Sequence, residues 1–311
     1  TRRSMSSDSP FRGVLSPVVT PFDANLQPDG DRLVKQCNWL LSNDVGLAVF
    51  GTNSEANSLS TSEKRALLDQ LGAAGIPAVR MMPGTGACSL ADSVELTQHA
   101  VEMGCGGVLM LSPFYYKWVS DEGLYRNFAE VIERVGDSRL RIYLYHIPPV
   151  AQVPISLNLI ERLLKDFPEV IAGVKDSSGD WSNTKAMLDQ FQPHGFDVFA
   201  GSETFLLDTL RSGGAGCISA TANVNPKAIS ALAATWKNDD ADEQQARLDE
   251  IRNVFQGYVM IPALKAAVAI YSGDEQWSVL RPPLVELDDA ERDALAKNLD
   301  AVGFSMPGLA D

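Results

Sequence analysis

No two of the four cysteines in this 311-residue chain are spaced as Cys-x-x-Cys. Cys37, Cys88, Cys105 and Cys217 stand singly, at least two of them in apolar, strand-like context. That pattern excludes a dithiol redox motif and a cysteine-based zinc site, and reads as reduced packing residues of a cytoplasmic protein. Histidine is scarcer still: His99, His146 and His194 approach neither an HExxH nor a finger spacing, so no metal is expected. Positive charge is in deficit, with 26 Lys and Arg against 40 Asp and Glu for a formal net charge of -14. With no Lys/Arg-rich run to offset this, a nucleic-acid surface is excluded as a reading. No apolar stretch is long and uninterrupted enough to span a bilayer, so no membrane partner is expected. Residues 1–10 are polar and lack the apolar h-region of a signal peptide, and are expected to form a disordered tail.

What is there is ordinary globular composition, 45% hydrophobic and 21% charged, with length enough for a large core. Short apolar runs at 14–20, 46–50, 78–82, 107–111, 141–145, 170–174, 197–200 and 216–218 alternate with longer amphipathic stretches. Several of those stretches open on helix-start signals: Asp29, Ser89, Ser120, Ser156, and Ser60 followed by Glu63 as a capping box. Eight strands alternating with helices predict a parallel sheet. An open doubly wound sheet usually has fewer strands and a GxGxxG after the first, absent here, so the expected fold is α/β, a (β/α)8 TIM barrel over 11–236. Residues 237–311 read as helices without strands, an appendage packed on the barrel or on another subunit.

Lys175 ends the β-branched run from Val170 to Val174, at the carboxyl end of a buried parallel strand, where α/β barrels place their chemistry. A desolvated lysine amine can attack a ketone and form a Schiff base; a strand-end lysine can equally snorkel to solvent. Gly51-Thr52-Asn53-Ser54-Glu55 follows the second strand, a turn whose N–H groups and hydroxyls suit a carboxylate, or a loop that caps the next helix. Tyr115 and Tyr116 follow the fourth strand and Tyr145 ends the fifth. Phenols at one rim can shuttle protons to a carbinolamine, and aromatics there can also simply close the core. His146, in apolar, proline-rich company, reads equally as a structural histidine or a substrate contact.

Gly51-Thr52-Asn53-Ser54-Glu55, Pro113-Phe114-Tyr115-Tyr116, Tyr145-His146-Ile147-Pro148, Gly173-Val174-Lys175-Asp176 and Gly213-Gly214-Ala215-Gly216-Cys217-Ile218-Ser219 occur in this order at the ends of expected strands two, four, five, six and eight. Together they resemble the dihydrodipicolinate synthase / N-acetylneuraminate lyase family of class I aldolases. The likeness runs from about Phe11 to Leu299 and includes Ala222-Asn223-Val224 and Ile261-Pro262-Ala263-Leu264-Lys265. It implies that Lys175 forms the Schiff base with pyruvate or another 2-oxo acid, that Tyr145 is the general acid/base, and that Thr52 links it to Tyr116. In the synthases the second of the two tyrosines reaches into a neighbouring subunit, so a homo-oligomer, dimer or tetramer, is implied. Asn53 and Ser54 take the carboxylate-binding positions, and Ile218 lines the pyruvate methyl.

Two departures bear on the second substrate, an aldehyde. Where the synthases keep an arginine that grips the aldehyde's carboxylate, this chain has Val150, and near it Gln152 replaces the usual glycine. An isopropyl group cannot replace a bidentate clamp. The resemblance and its departures together imply a pyruvate-dependent lyase that makes or cleaves a C–C bond of a 2-oxo acid without metal or organic cofactor, like a sialic acid lyase or a 4-hydroxy-2-oxoglutarate aldolase. The alternatives are a 4-hydroxy-tetrahydrodipicolinate synthase, a 2-oxo acid dehydratase or deaminase, and a barrel that binds a 2-oxo acid without turnover.

Overall fold

The computed structural model of the chain describes residues 11–311, and the tail expected over 1–10 lies outside them. In chain order its first half contains β1 Gly13–Ser16, α1 Gly30–Ser42, β2 Gly46–Leu47, α2 Thr61–Ala73, α3 Leu90–Glu102, β3 Val108–Leu111, α4 Asp121–Val135, β4 Ile142–His146 and α5 Pro148–Ala151. There follow α6 Leu157–Asp166, β5 Ile171–Asp176, α7 Trp181–Phe191, β6 Asp197–Ala200, α8 Leu206–Arg211, β7 Gly216–Ile218, α9 Pro226–Thr235, α10 Ala241–Gln256, α11 Met260–Ser272 and α12 Asp289–Ala301. The residues group into two compact units, one of 11–12 with Pro77–Ile218, the other of Gly13–Ile76 with Ser219–Asp311.

In the first unit β3 to β7 form a parallel sheet, each strand paired with the next in sequence. Every residue of β4 and β5 is buried, which is why these strands read as unbroken apolar runs without alternation. Gly173 in β5 is required by close approach: a Cβ there would lie 2.2 Å from the Asp197 carbonyl oxygen and 2.9 Å from the Tyr143 ring. The helices α3, α4, α6 and α7 start on Ser89, Ser120, Ser156 and Asp180, each accepting a backbone N–H of the first turn through its side chain.

The strand expected at 78–82 is not a strand. Ala78–Arg80 is a 3-10 turn, and beyond it only isolated bridge residues occur, Met81 and then Gly84, which pairs in parallel with Leu109. Leu109 N–H donates to the Pro83 carbonyl at 2.9 Å and Thr85 N–H to the Leu109 carbonyl at 3.0 Å. Pro77 and Pro83 explain the difference, since each lacks the N–H that a regular ladder needs. The described residues thus hold seven regular strands where eight were expected.

In the second unit β1 pairs in parallel with β2, and Ala48 N–H continues the ladder to the Ser16 carbonyl at 2.8 Å. The Ser60–Glu63 capping box is formed at α2, and Asp288 with Glu291 forms another at α12. Within α11 the run from Pro262 to Ala269 is wholly buried, so this alanine-rich helix is the centre of the unit and has no polar face. No single described helix is long and apolar enough to cross a membrane.

Candidate active site

Lys175 and Tyr145 are partners in the β4–β5 register, so both side chains leave the sheet on the same face at the carboxyl ends of adjacent strands. Both are buried, with 2% and 4% exposure. The lysine does not reach solvent as the snorkelling alternative required. Its Nζ donates to the Tyr145 Oη at 3.4 Å and lies 4.5 Å from the ring centroid. A primary amine and a phenol held together away from water are the two groups that imine chemistry needs: a nucleophile, and a proton donor and acceptor beside it.

One step further along the strands, His146 pairs with Asp176. The Nδ1 of His146 accepts the Ile155 N–H at 2.9 Å, which places its proton on Nε2, 4.0 Å from Asp176 Oδ1. Burial pushes the His146 pKa below its ordinary value, opposed by the Asp176 charge, so the ring is neutral at neutral pH. Asp176 also fastens the chain that follows Lys175. Its Oδ2 accepts from Thr184 Oγ1 at 2.6 Å, Ser178 Oγ at 3.1 Å and Asn183 Nδ2 at 3.2 Å, and Oδ1 accepts the Ser178 N–H at 3.0 Å. The signal for this role of Asp176 in the sequence is the turn chemistry of Asp176-Ser177-Ser178-Gly179-Asp180.

The loop after β3 exposes its aromatics. Tyr116 is 74% exposed and meets Tyr115 edge to face at 5.6 Å, so neither closes the core. Lys117 ties this loop to the one after β4, its Nζ donating to the Phe114 carbonyl at 2.5 Å and the Ala151 carbonyl at 2.8 Å. Val150, 63% exposed in the short helix α5, and Gln152, also exposed just after it with left-handed backbone (φ 56°), stand on that second segment, outside the buried Lys175–Tyr145 pair. Ile218 is fully buried at the end of β7, with β6 between its strand and that of Lys175.

In the second unit Thr52–Ser54 forms a 3-10 turn directly after Gly51. It does not cap the following helix, because Ser60 does so. Thr52 and Asn53 are half-buried; Ser54 is buried, its carbonyl accepting from Thr20 Oγ1 at 2.6 Å while its own hydroxyl has no partner among the described residues. Asn223 joins two further rim segments: its Oδ1 accepts the Val19 N–H at 3.0 Å, and its Nδ2 donates to Pro17 O at 2.9 Å and Ala220 O at 3.0 Å. Such contacts span about two hundred residues, beyond the reach of any local pattern. Among the described residues no group of three His, Cys, Asp or Glu side chains could hold a metal ion.

With this geometry in hand, the likeness to known proteins is decisive. The dihydrodipicolinate synthetase family model matches residues 10–302. The chain belongs to that family. A DapA-like lyase of Chloroflexus aurantiacus is 32% identical over 91% of this chain and 94% of its own length. The crystal structure of dihydrodipicolinate synthase from Agrobacterium tumefaciens superimposes with a TM-score of 0.86 at 32% identity, covering 93% of this chain and 99% of that one. YagE of E. coli K12, solved in complex with pyruvate, gives 0.85 at 27% identity, covering 94% and 99%. As a member of the dihydrodipicolinate synthetase family the chain is an enzyme, a lyase of the class I aldolase type.

Proposed function

We propose that this enzyme makes or cleaves the C–C bond next to a pyruvate unit through an imine on Lys175. The observation that carries the reading is the buried contact between Lys175 and Tyr145. The amine attacks the C2 carbonyl of the 2-oxo acid, and the carbinolamine loses its oxygen as water, with the Tyr145 phenol giving and taking the proton. In cleavage the C3–C4 electron pair flows into the protonated imine, the C4 hydroxyl becomes the aldehyde of the leaving fragment, and the enamine left on Lys175 is protonated and hydrolysed to pyruvate. Thr52 serves as the link from Tyr145 to Tyr116, Asn53 and Ser54 receive the carboxylate, and Ile218 faces the methyl group. The pyruvate complex of YagE supports the choice of 2-oxo acid.

The same reading takes the fold to be a closed (β/α)8 barrel over 11–236 with 237–311 as a helical appendage, in a cytoplasmic homo-oligomer, a dimer or tetramer in which Tyr116 acts across an interface. The likeness to solved synthases supports the barrel, and the exposed Tyr115, Tyr116 and Trp118 support the interface. For the second substrate, Val150 argues for cleavage of a hydroxylated 2-oxo acid, as in sialic acid lyases and 4-hydroxy-2-oxoglutarate aldolases. The name of the Agrobacterium relative favours the competing reading, 4-hydroxy-tetrahydrodipicolinate synthesis from aspartate semialdehyde.

The test is kcat/KM for pyruvate release from a panel of hydroxylated 2-oxo acids against condensation of pyruvate with aspartate semialdehyde, on one preparation and on Val150→Arg. Cleavage by the unmodified enzyme with weak condensation, and a gain of condensation in the variant, is the expected result. Robust condensation without the arginine would return the synthase reading to first place.

A further inference from the structure

Glu55 fastens the Thr52–Ser54 turn to the rest of its unit. Its backbone is left-handed (φ 58°), an unusual state for a residue with a side chain, and its N–H closes the turn on the Thr52 carbonyl at 3.2 Å. The carboxylate is buried. Oε2 lies 2.5 Å from Nζ of Lys265, at the fully buried centre of α11, and Oε1 accepts the Arg281 backbone N–H at 3.1 Å. Lys265 also donates to the Val279 carbonyl at 2.7 Å and stands 4.6 Å from the Phe22 ring centroid. The Arg281 guanidinium holds Glu63 of the α2 capping box through two bonds of 2.6 and 2.5 Å and donates to the Ser58 carbonyl at 2.8 Å.

Apolar residues of similar volume often stabilise a protein interior as well as a buried ion pair does, so the pair is weak evidence of a stabilising role. What charge supplies and hydrocarbon does not is direction. The part of the chain it directs is the turn whose buried Ser54 hydroxyl has no partner among the described residues. We propose that Glu55 and Lys265 are positioning residues for recognition of the 2-oxo acid: the pair fixes the turn so that Ser54 and its neighbours meet the substrate carboxylate. The proposal rests on the reading of Lys175 as the imine-forming lysine.

The test compares the wild-type enzyme, Glu55→Gln/Lys265→Met, Glu55→Gln, and Leu232→Ala, a cavity in α9 that lowers stability elsewhere in the unit. Calorimetry gives the thermal midpoint, and borohydride trapping at graded pyruvate concentrations gives the half-saturating concentration and the rate of imine formation. The double variant is expected to keep a midpoint near or above that of wild type, yet lose about 10²-fold in the second-order rate of trapping, mostly as weaker pyruvate saturation. Leu232→Ala should lose midpoint without that shift, because fewer folded molecules reduce amplitude and leave saturation unchanged. Should the double variant not fold, Glu55→Gln, whose single amide oxygen can accept from the Arg281 N–H or from Lys265 but not from both, is read for the same shift in saturation. Wild-type saturation in whichever variant folds overturns the proposal. No trapping by the wild-type enzyme would instead overturn the imine reading itself.

Discussion

Tyr145 and Lys265 show two ways in which burial gives a polar side chain work to do. Tyr145 faces Lys175 at 3.4 Å, and in the proposed mechanism its hydroxyl is needed for proton transfer in the transition state. Tyr145→Phe should therefore lower kcat by roughly 10²–10⁴-fold with a much smaller change in pyruvate affinity, measurable by steady-state kinetics beside equilibrium trapping. Unchanged kcat would reduce Tyr145 to a wall residue. Lys265 titrates at about 8, below its ordinary 10.5, because burial strips water from the ammonium more effectively than Glu55 restores its charge. Between about pH 8 and 10.5 the unfolded chain then binds the proton that the folded chain has released, so this group's contribution to stability rises with pH across that window and is flat below it. Denaturant titrations at pH 7 and 9.5 should show wild type gaining on Lys265→Met as pH rises; parallel profiles would contradict the shift.

Among the elements, what was local in cause was legible in the sequence. Asp29, Ser60, Ser89, Ser120 and Ser156 were read as helix starts and all five accept a first-turn N–H. Ser60→Ala should cost about 1 kcal/mol of unfolding free energy, with Glu63 retained in its bonds to Arg281, as measured by urea denaturation. The segment at 78–82 misled because its apolar residues suit a strand while Pro77 and Pro83 deny it a ladder. The strings around Lys175 and Tyr145 were visible because both residues stand in the closing positions of buried apolar strands, and the string around Thr52 because it forms a glycine-led turn after β2. The Glu55–Lys265 contact spans 210 residues of sequence and the Asn223–Val19 contact 204, and neither end of either contact signals the other. Lys117 belongs with these: its two carbonyl bonds join the Tyr116 loop to the Val150 loop. Lys117→Met should loosen both, and faster amide exchange over 113–118 and 148–152 would report it.

For the whole molecule, the proposed function places the imine chemistry on the buried strand ends and the choice of second substrate on the exposed segments that carry Tyr116 and Val150. The lyase class follows from the family, and the second substrate does not. The account stands or falls on one lysine. Incubation with pyruvate and borohydride, followed by peptide mass mapping, tests it most directly, because only an imine is reduced to a stable secondary amine. The account predicts a single adduct of reduced pyruvate on Lys175, lost in Lys175→Ala. An adduct on Lys117 or Lys265, or no adduct at all, would contradict it.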